Sequence, residues 1–215
     1  MFFDPYDSYN SRLAVAVSYA RIFHAVPNAP AVDVYLNNKI ITRNLGFGNF
    51  TEYLSVQPGY YETELYRAGS RNDLLVKENI FINPSSIYTI AATNYPAKIN
   101  LLQILEPKGP FIPGKFFIRF GHLSPNSPNV DLTLANGKKL FTNVPYKKIT
   151  GYIPLTSGTY NFRINSSETG ELVLNVPNIN LRGDRFYTIY AIGLLGDRPP
   201  LHVVIPLDGN SYLNL

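Results

Sequence analysis

Two stretches of this chain, 98 residues apart, are near-copies, and the repeat limits the fold more than any other feature does. Residues 21–36 read RIFHAVPNAPAVDVYL and residues 119–134 read RFGHLSPNSPNVDLTL, identical at eight of sixteen positions. The offset then grows by one where Asn37-Asn38 faces Ala135-Asn136-Gly137. Asn-Asn and Asn-Gly tolerate positive φ and favour hairpin turns, so the insertion falls where folded copies accept one. At an offset of 99, Thr51, Tyr53, Gly59 and Tyr61 match Thr150, Tyr152, Gly158 and Tyr160. Ile87-Tyr88-Thr89-Ile90 then matches Phe186-Tyr187-Thr188-Ile189, and Leu102-Gln103-Ile104 is set against Leu201-His202-Val203. A period of this size is one small domain.

The repeat divides the chain into an N-terminal arm (1–12), a first unit (13–107), a Pro/Gly linker (108–113), a second unit (114–208) and a tail (209–215). The Pro-rich junction, Glu106-Pro107-Lys108-Gly109-Pro110, is semi-rigid. No segment sustains helical spacing, whereas β-branched and aromatic runs recur between turn clusters. Strands are expected near 18–26, 31–36, 50–57, 60–66, 74–82, 86–93 and 99–106, repeated in the second unit. Tyr160, Phe162 and Ile164 alternate with Asn161 and Arg163, and Tyr61, Thr63 and Leu65 with Glu62 and Glu64, which are read as facing water. Gln57-Pro58-Gly59 and Thr156-Ser157-Gly158 are read as hairpin turns. Seven short strands per unit indicate an all-β chain of two tandem immunoglobulin-like Greek-key β-sandwich domains.

Composition excludes several chemistries. With no cysteine there is no disulfide, thiolate nucleophile or Cys-based metal site. The apolar run Leu13–Val17 is too short for a secretory core or a membrane span. Residues 1–107 carry 8 basic and 9 acidic side chains, whereas 108–215 carry 11 and 6, so the excess of positive charge lies in the second half. Lys138-Lys139 and Lys147-Lys148 are the candidate polyanion contact, set against the alternative of two solvated loops.

A strand ending in His24-Ala25, then Pro27-Asn28-Ala29-Pro30 and Val32-Asp33-Val34-Tyr35, followed by Leu45 to Gly48, Tyr53 to Tyr61, Ala68-Gly69-Ser70 and Tyr88-Thr89, resembles the bacterial domain-of-unknown-function 4397 family. The resemblance covers nearly all of both units. The second departs from it at Val144-Pro145-Tyr146, where the first has Leu45-Gly46-Phe47. It implies tandem β-sandwiches, often exported or surface-associated, and no agreed activity.

The strongest polar constellation is His24, Asn28 and Asp33 with its copy His122, Asn126 and Asp131. An imidazole oriented by a carboxylate is the makings of a general base. The same residues in a Pro-x-x-Pro turn instead satisfy backbone groups. Retention in both copies, with no matched hydroxyl nucleophile beside them, favours the structural role. Tyr88 and Tyr187 each follow a turn and open a strand, as a tyrosine corner does. Only three histidines occur, with no metal-ligand spacing, so no metal or cofactor is expected. Gly46-Phe47-Gly48 lacks the following helix of a phosphate cradle. Strand patterning accounts for Tyr146-Lys147-Lys148 and for Lys115 to Arg119, so nucleic acid is not expected as a partner. The arm carries Phe2, Phe3, Tyr6 and Tyr9, aromatics that could add a strand to a neighbour and build an oligomer.

The sequence therefore points to a non-catalytic, surface-associated structural, adhesion or assembly module with a protein or polysaccharide partner. Two alternatives stand beside it: a carbohydrate-binding module or weak glycan-acting enzyme, and a polyanion binder acting through the second repeat.

Overall fold

The computed structural model describes residues 16–107, 109 and 111–213. In the first unit the strands are β1 (Ser18–His24), β2 (Val32–Leu36), β3 (Lys39–Leu45), β4 (Leu54–Val56), β5 (Gly59–Arg67), β6 (Leu74–Ile82), β7 (Ile87–Thr93) and β8 (Asn100–Leu105). The second repeats them as β9 (Lys115–His122), β10 (Val130–Leu134), β11 (Lys139–Val144), β12 (Ile153–Thr156), β13 (Gly158–Ser166), β14 (Leu172–Leu181), β15 (Phe186–Ile192) and β16 (His202–Val204). The four sheets run β4-β1-β7-β8 and β3-β2-β5-β6, then β12-β9-β15-β16 and β11-β10-β13-β14. Each unit is thus a sandwich of two four-stranded sheets with its own apolar interior.

Eight strands rather than seven form each unit, because β3 and its copy β11 join the sheets. Alternation over Lys39–Leu45 is broken by register shifts in the β2–β3 pairing and by Asn44, held at φ 55°. Period-two reading therefore misses this strand. The pair β1–β7 is parallel, as is β9–β15, which an immunoglobulin-like strand count does not foresee. The segments expected to be hairpins, Gln57-Pro58-Gly59 and Thr156-Ser157-Gly158, instead carry the chain from one sheet to the other. β4 and β5 belong to different sheets, and Gly59 (φ 142°) makes the corner. Glu64, expected to face water, is covered by Arg71 and Lys77, whose charged ends lie 3.1 and 3.2 Å from its carboxylate.

β1 is buried on both faces, which explains its lack of alternation. Ala20 and Ile22 enter the interior of their own unit. Phe23 joins a separate apolar cluster with Ala91, Ile104, Leu123, Tyr190 and Ile192, drawn from both units. The two sandwiches therefore pack sheet to sheet through β4-β1-β7-β8 and β12-β9-β15-β16.

Candidate functional site

Beside that shared cluster lies a buried group of charges that the repeat builds twice. In the first unit Thr89 Oγ1 and Tyr53 Oη each donate to Glu106 Oε1 at 2.6 Å. In the second, Thr188 Oγ1 and Tyr152 Oη donate to Asp208 Oδ2 at 2.5 and 2.6 Å. Arg21 Nε donates to Thr89 and Arg119 Nε to Thr188, at 2.8 and 2.7 Å. Each guanidinium also lies over a tyrosine ring, Arg21 over Tyr53 at 4.6 Å and Arg119 over Tyr152 at 4.7 Å.

The two sets interlock. Arg21 Nη2 donates to Asp208 Oδ1 at 3.0 Å and its Nη1 to the Leu207 carbonyl at 3.0 Å. Arg119 Nη1 returns the contact, donating to the Leu105 carbonyl at 2.7 Å. Gly209 N–H donates to Glu106 Oε2 at 2.7 Å. Two guanidinium groups face two carboxylates, so the cluster balances its charge out of water, as buried ions require. Burial pushes the Asp208 carboxyl up to about 6, with the neighbouring Glu106 charge as the second cause and Arg119 and Arg21 opposing. Tyr53 and Tyr152 are held protonated above their ordinary range, chiefly by burial.

In the sequence Arg21 and Arg119 show only as identical repeat positions, and Glu106 falls at the junction. The signal was a misplaced end alignment. Ala91 pairs with Leu102, and its counterpart Tyr190 pairs with Val204, so the last strands align at an offset of 102, not 99. At that offset Glu106 matches Asp208, and the backbone agrees: Glu106 N–H donates to the Ile87 carbonyl, and Asp208 N–H to Phe186. His202 consequently stands at the position of Asn100 rather than Gln103.

His24 and Asp33 are both buried, and no hydrogen bond joins them. His24 Nε2 donates to the Pro30 carbonyl at 3.0 Å while Nδ1 accepts from Val26 N–H at 3.3 Å. Both nitrogens are thus occupied in the neutral ring, and burial holds its pKa below the ordinary value. Asp33 accepts from the backbone of Asn44 at 2.8 Å and Gly69 at 3.0 Å. His122 likewise bonds the Pro128 carbonyl at 3.1 Å. Asp131 accepts from Asn143 N–H and Ser167 Oγ at 2.8 and 2.6 Å. Asn28 serves by adopting φ 62°, whereas Asn126 brackets Leu195 by accepting its N–H at 2.8 Å and donating to its carbonyl at 3.0 Å. Tyr88 Oη accepts from Asn83 Nδ2 at 2.6 Å, and Tyr187 Oη from Arg182 N–H at 3.4 Å, each partner lying five residues upstream.

The four lysines are not brought together. Lys138 precedes β11, Lys139 opens it, and Lys147 and Lys148 lie beyond its end. Lys139 Nζ is 2.7 Å from Asp131 on the wall of an open cleft of about 630 Å³. Lys147 Nζ reaches Asn100 Oδ1 of the first unit at 3.0 Å, while Lys148 is exposed. The arm residues Phe2, Phe3, Tyr6 and Tyr9 lie outside the described residues. Among the described residues, no three His, Asp or Glu side chains gather as metal ligands.

Fold and geometry together define a tandem β-sandwich protein whose repeated polar residues hold turns and join the two units. The chain belongs to the family described as Domain of unknown function (DUF4397), whose family model matches residues 18–133 and 127–210. No curated protein matches the chain. Similar solved structures include a streptococcal virulence factor described as binding alpha-glucan, with 11% identity, 92% of this chain and 99% of that one covered, and a TM-score of 0.27. The family CBM26 module of Eubacterium rectale Amy13K, solved with maltoheptaose, shares 10% identity over 90% of this chain and 99% of its own, with a TM-score of 0.27. The Bacillus anthracis TIE protein shares 11% identity, also with a TM-score of 0.27; 84% of this chain aligns with 34% of it.

Proposed function

We propose that the chain is a non-catalytic binding module that presents two rigidly joined sandwiches to a polysaccharide or protein at a surface. One observation carries the reading: the copies share a buried polar set (Arg21/Arg119, His24/His122, Asp33/Asp131, Thr89/Thr188 and the carboxylates Glu106/Asp208) but have different outer faces. On the exposed face of β5 and β6 stand Tyr60, Glu62, Lys77 and Phe81. The matching face of β13 and β14 carries Thr159, Asn161, Asn178 and Asn180. Residues that folding demands recur in both copies, whereas residues that a partner selects are free to differ.

The residues His24, Asp33 and Asp131 support a non-catalytic role, since His24 and Asp33 bond backbone groups and Asp131 bonds Asn143 N–H, Ser167 and Lys139. The polyanion reading draws less support, because Lys139 and Lys147 have partners in the protein.

Retention on immobilised polysaccharides and on a cell-envelope fraction, with reducing ends measured in parallel, tests the proposal. Retention without sugar release is expected. Release abolished by substituting a single acidic side chain would make the protein an enzyme, and failure to be retained on any surface would remove the binding role.

A further inference from the structure

The exposed aromatic pair of the first unit has a chemistry that selects one class of ligand. Tyr60 and Phe81 face each other across β5 and β6, with ring centroids 4.7 Å apart and planes tilted by 55°. They are 76% and 41% exposed. Gln103 Nε2 donates to the Phe81 carbonyl at 2.9 Å and ties this edge to β8. Two positions along the same face come Glu62 and Asn79, then Lys77, whose Nζ lies 2.8 Å from Glu62. The result is a shallow aromatic cradle with a carboxylate, an amide and an ammonium on one side.

The fold does not need these rings. At the matching positions the second unit has Thr159 and Asn180, joined by an Nδ2–Oγ1 hydrogen bond of 3.3 Å. Nor do the rings continue into a wider apolar surface. Tyr35 and Tyr66 follow on the same face, but the Arg71 guanidinium covers them at 3.7 and 4.3 Å and is itself held by Glu64. Among the described residues, the open aromatic surface of this face therefore stops at two rings. A stable protein interface needs roughly 800 Å² per partner, far more than two side chains offer. A pyranose ring fits the space and the chemistry, with one face of C–H groups to lie on a ring and a rim of hydroxyls for Glu62, Asn79 and Lys77.

We propose that Tyr60 and Phe81 form a sugar-stacking site that takes a pyranose residue of a neutral polysaccharide, a ligand class that rests on the binding role above. The second unit contributes no such stack.

The probes are malto-, cello-, xylo-, manno- and chito-hexaoses, titrated into the full chain by calorimetry. At least one should bind, and Tyr60→Ala and Phe81→Ala should each weaken it about tenfold or more. Thr159→Ala with Asn180→Ala should leave affinity unchanged. The chain has no tryptophan, so Tyr60→Trp introduces a single reporter. Its emission should shift on binding, with affinity kept or improved. Unchanged affinity in both alanine variants would overturn this site and leave the binding role standing. A chain retained on cell envelope but indifferent to every hexaose would overturn the sugar assignment alone.

Discussion

Arg21→Leu is the most informative perturbation of the junction, because one side chain touches both units. Its guanidinium donates to Thr89, to the Leu207 carbonyl and to Asp208, and lies 3.6 Å from Glu106. Leucine leaves Arg119 facing two buried carboxylates. Removing one partner from a buried ionic group costs roughly 3–5 kcal/mol, mostly from the charge left uncompensated. For a chain of this length each kcal/mol lowers Tm by roughly 2–4 °C, so the melting point should fall by roughly 6–20 °C. Differential scanning calorimetry should show one transition for the native chain, since the units share an interior, and an earlier and broader one for the variant. Adding Asp208→Asn to Arg21→Leu restores charge balance, with Arg119 opposite Glu106. The double variant should lose at least about 1.5 kcal/mol less than the two single losses combined. A loss under about 1 kcal/mol for Arg21→Leu, or strict additivity in the cycle, would refute the coupled buried cluster.

Gly121→Ala tests the packing of the same interface: an added Cβ would stand 2.7 Å from the Tyr190 ring and 2.8 Å from Ile149 Cδ1, so about 1–3 kcal/mol of stability should be lost in denaturant unfolding. Retained stability would mean that the Tyr190 ring and Ile149 give way without cost. The pH dependence has a defined sign. Asp208 holds its proton more tightly when folded than when unfolded, so its contribution is present below about pH 4 and lost as pH rises through about 6. The buried His24 and His122, with pKa values lowered mainly by burial, act oppositely and remove stability as pH falls below about 6.5. The difference between native and Asp208→Asn unfolding free energies across pH 4–6 isolates the first effect, and should change by up to about 3 kcal/mol. A flat difference would contradict it.

What could be read from the sequence was whatever the repeat makes local. Turns such as Asn37-Asn38 and Asn136-Gly137 need only the two residues that adopt or border positive φ, and both were legible. Strands with one wet face, such as β13, show themselves by alternation. β3 was hidden because its register shifts and the Asp33–Asn44 bond interrupt the period. The buried cluster was hidden for a different reason. Arg21, Tyr53 and Thr89 stood out as matched positions, but Glu106 differs in type from Asp208 and lies beyond a β15–β16 loop three residues longer than its counterpart. Only strand register recovers the match. A charged residue in a strand also suggests water, and nothing local indicates that a second sandwich covers it.

The junction also shows that the copies have become unequal partners. In each central sheet one cross-strand pair combines a large residue with a small one, but the order is reversed. Phe23 stands opposite Ala91 in the first unit, and Gly121 opposite Tyr190 in the second. Phe23 stacks on Phe50 with centroids 3.9 Å apart and meets Tyr190 at 5.1 Å, so large rings from both units fill this part of the interface. Pairing the first unit with a copy of itself would place Ala91 where Tyr190 now meets Phe23 and would leave a void, which a close-packed interior does not tolerate cheaply. Each unit is therefore complementary to the other rather than to itself. Being joined in one chain fixes their ratio at one to one, which lets such asymmetry persist without competing self-pairing. The same freedom reaches the outer faces: once the pair folds as a unit, only one copy needs an aromatic cradle, and the amide-rich face of the other can serve a different contact.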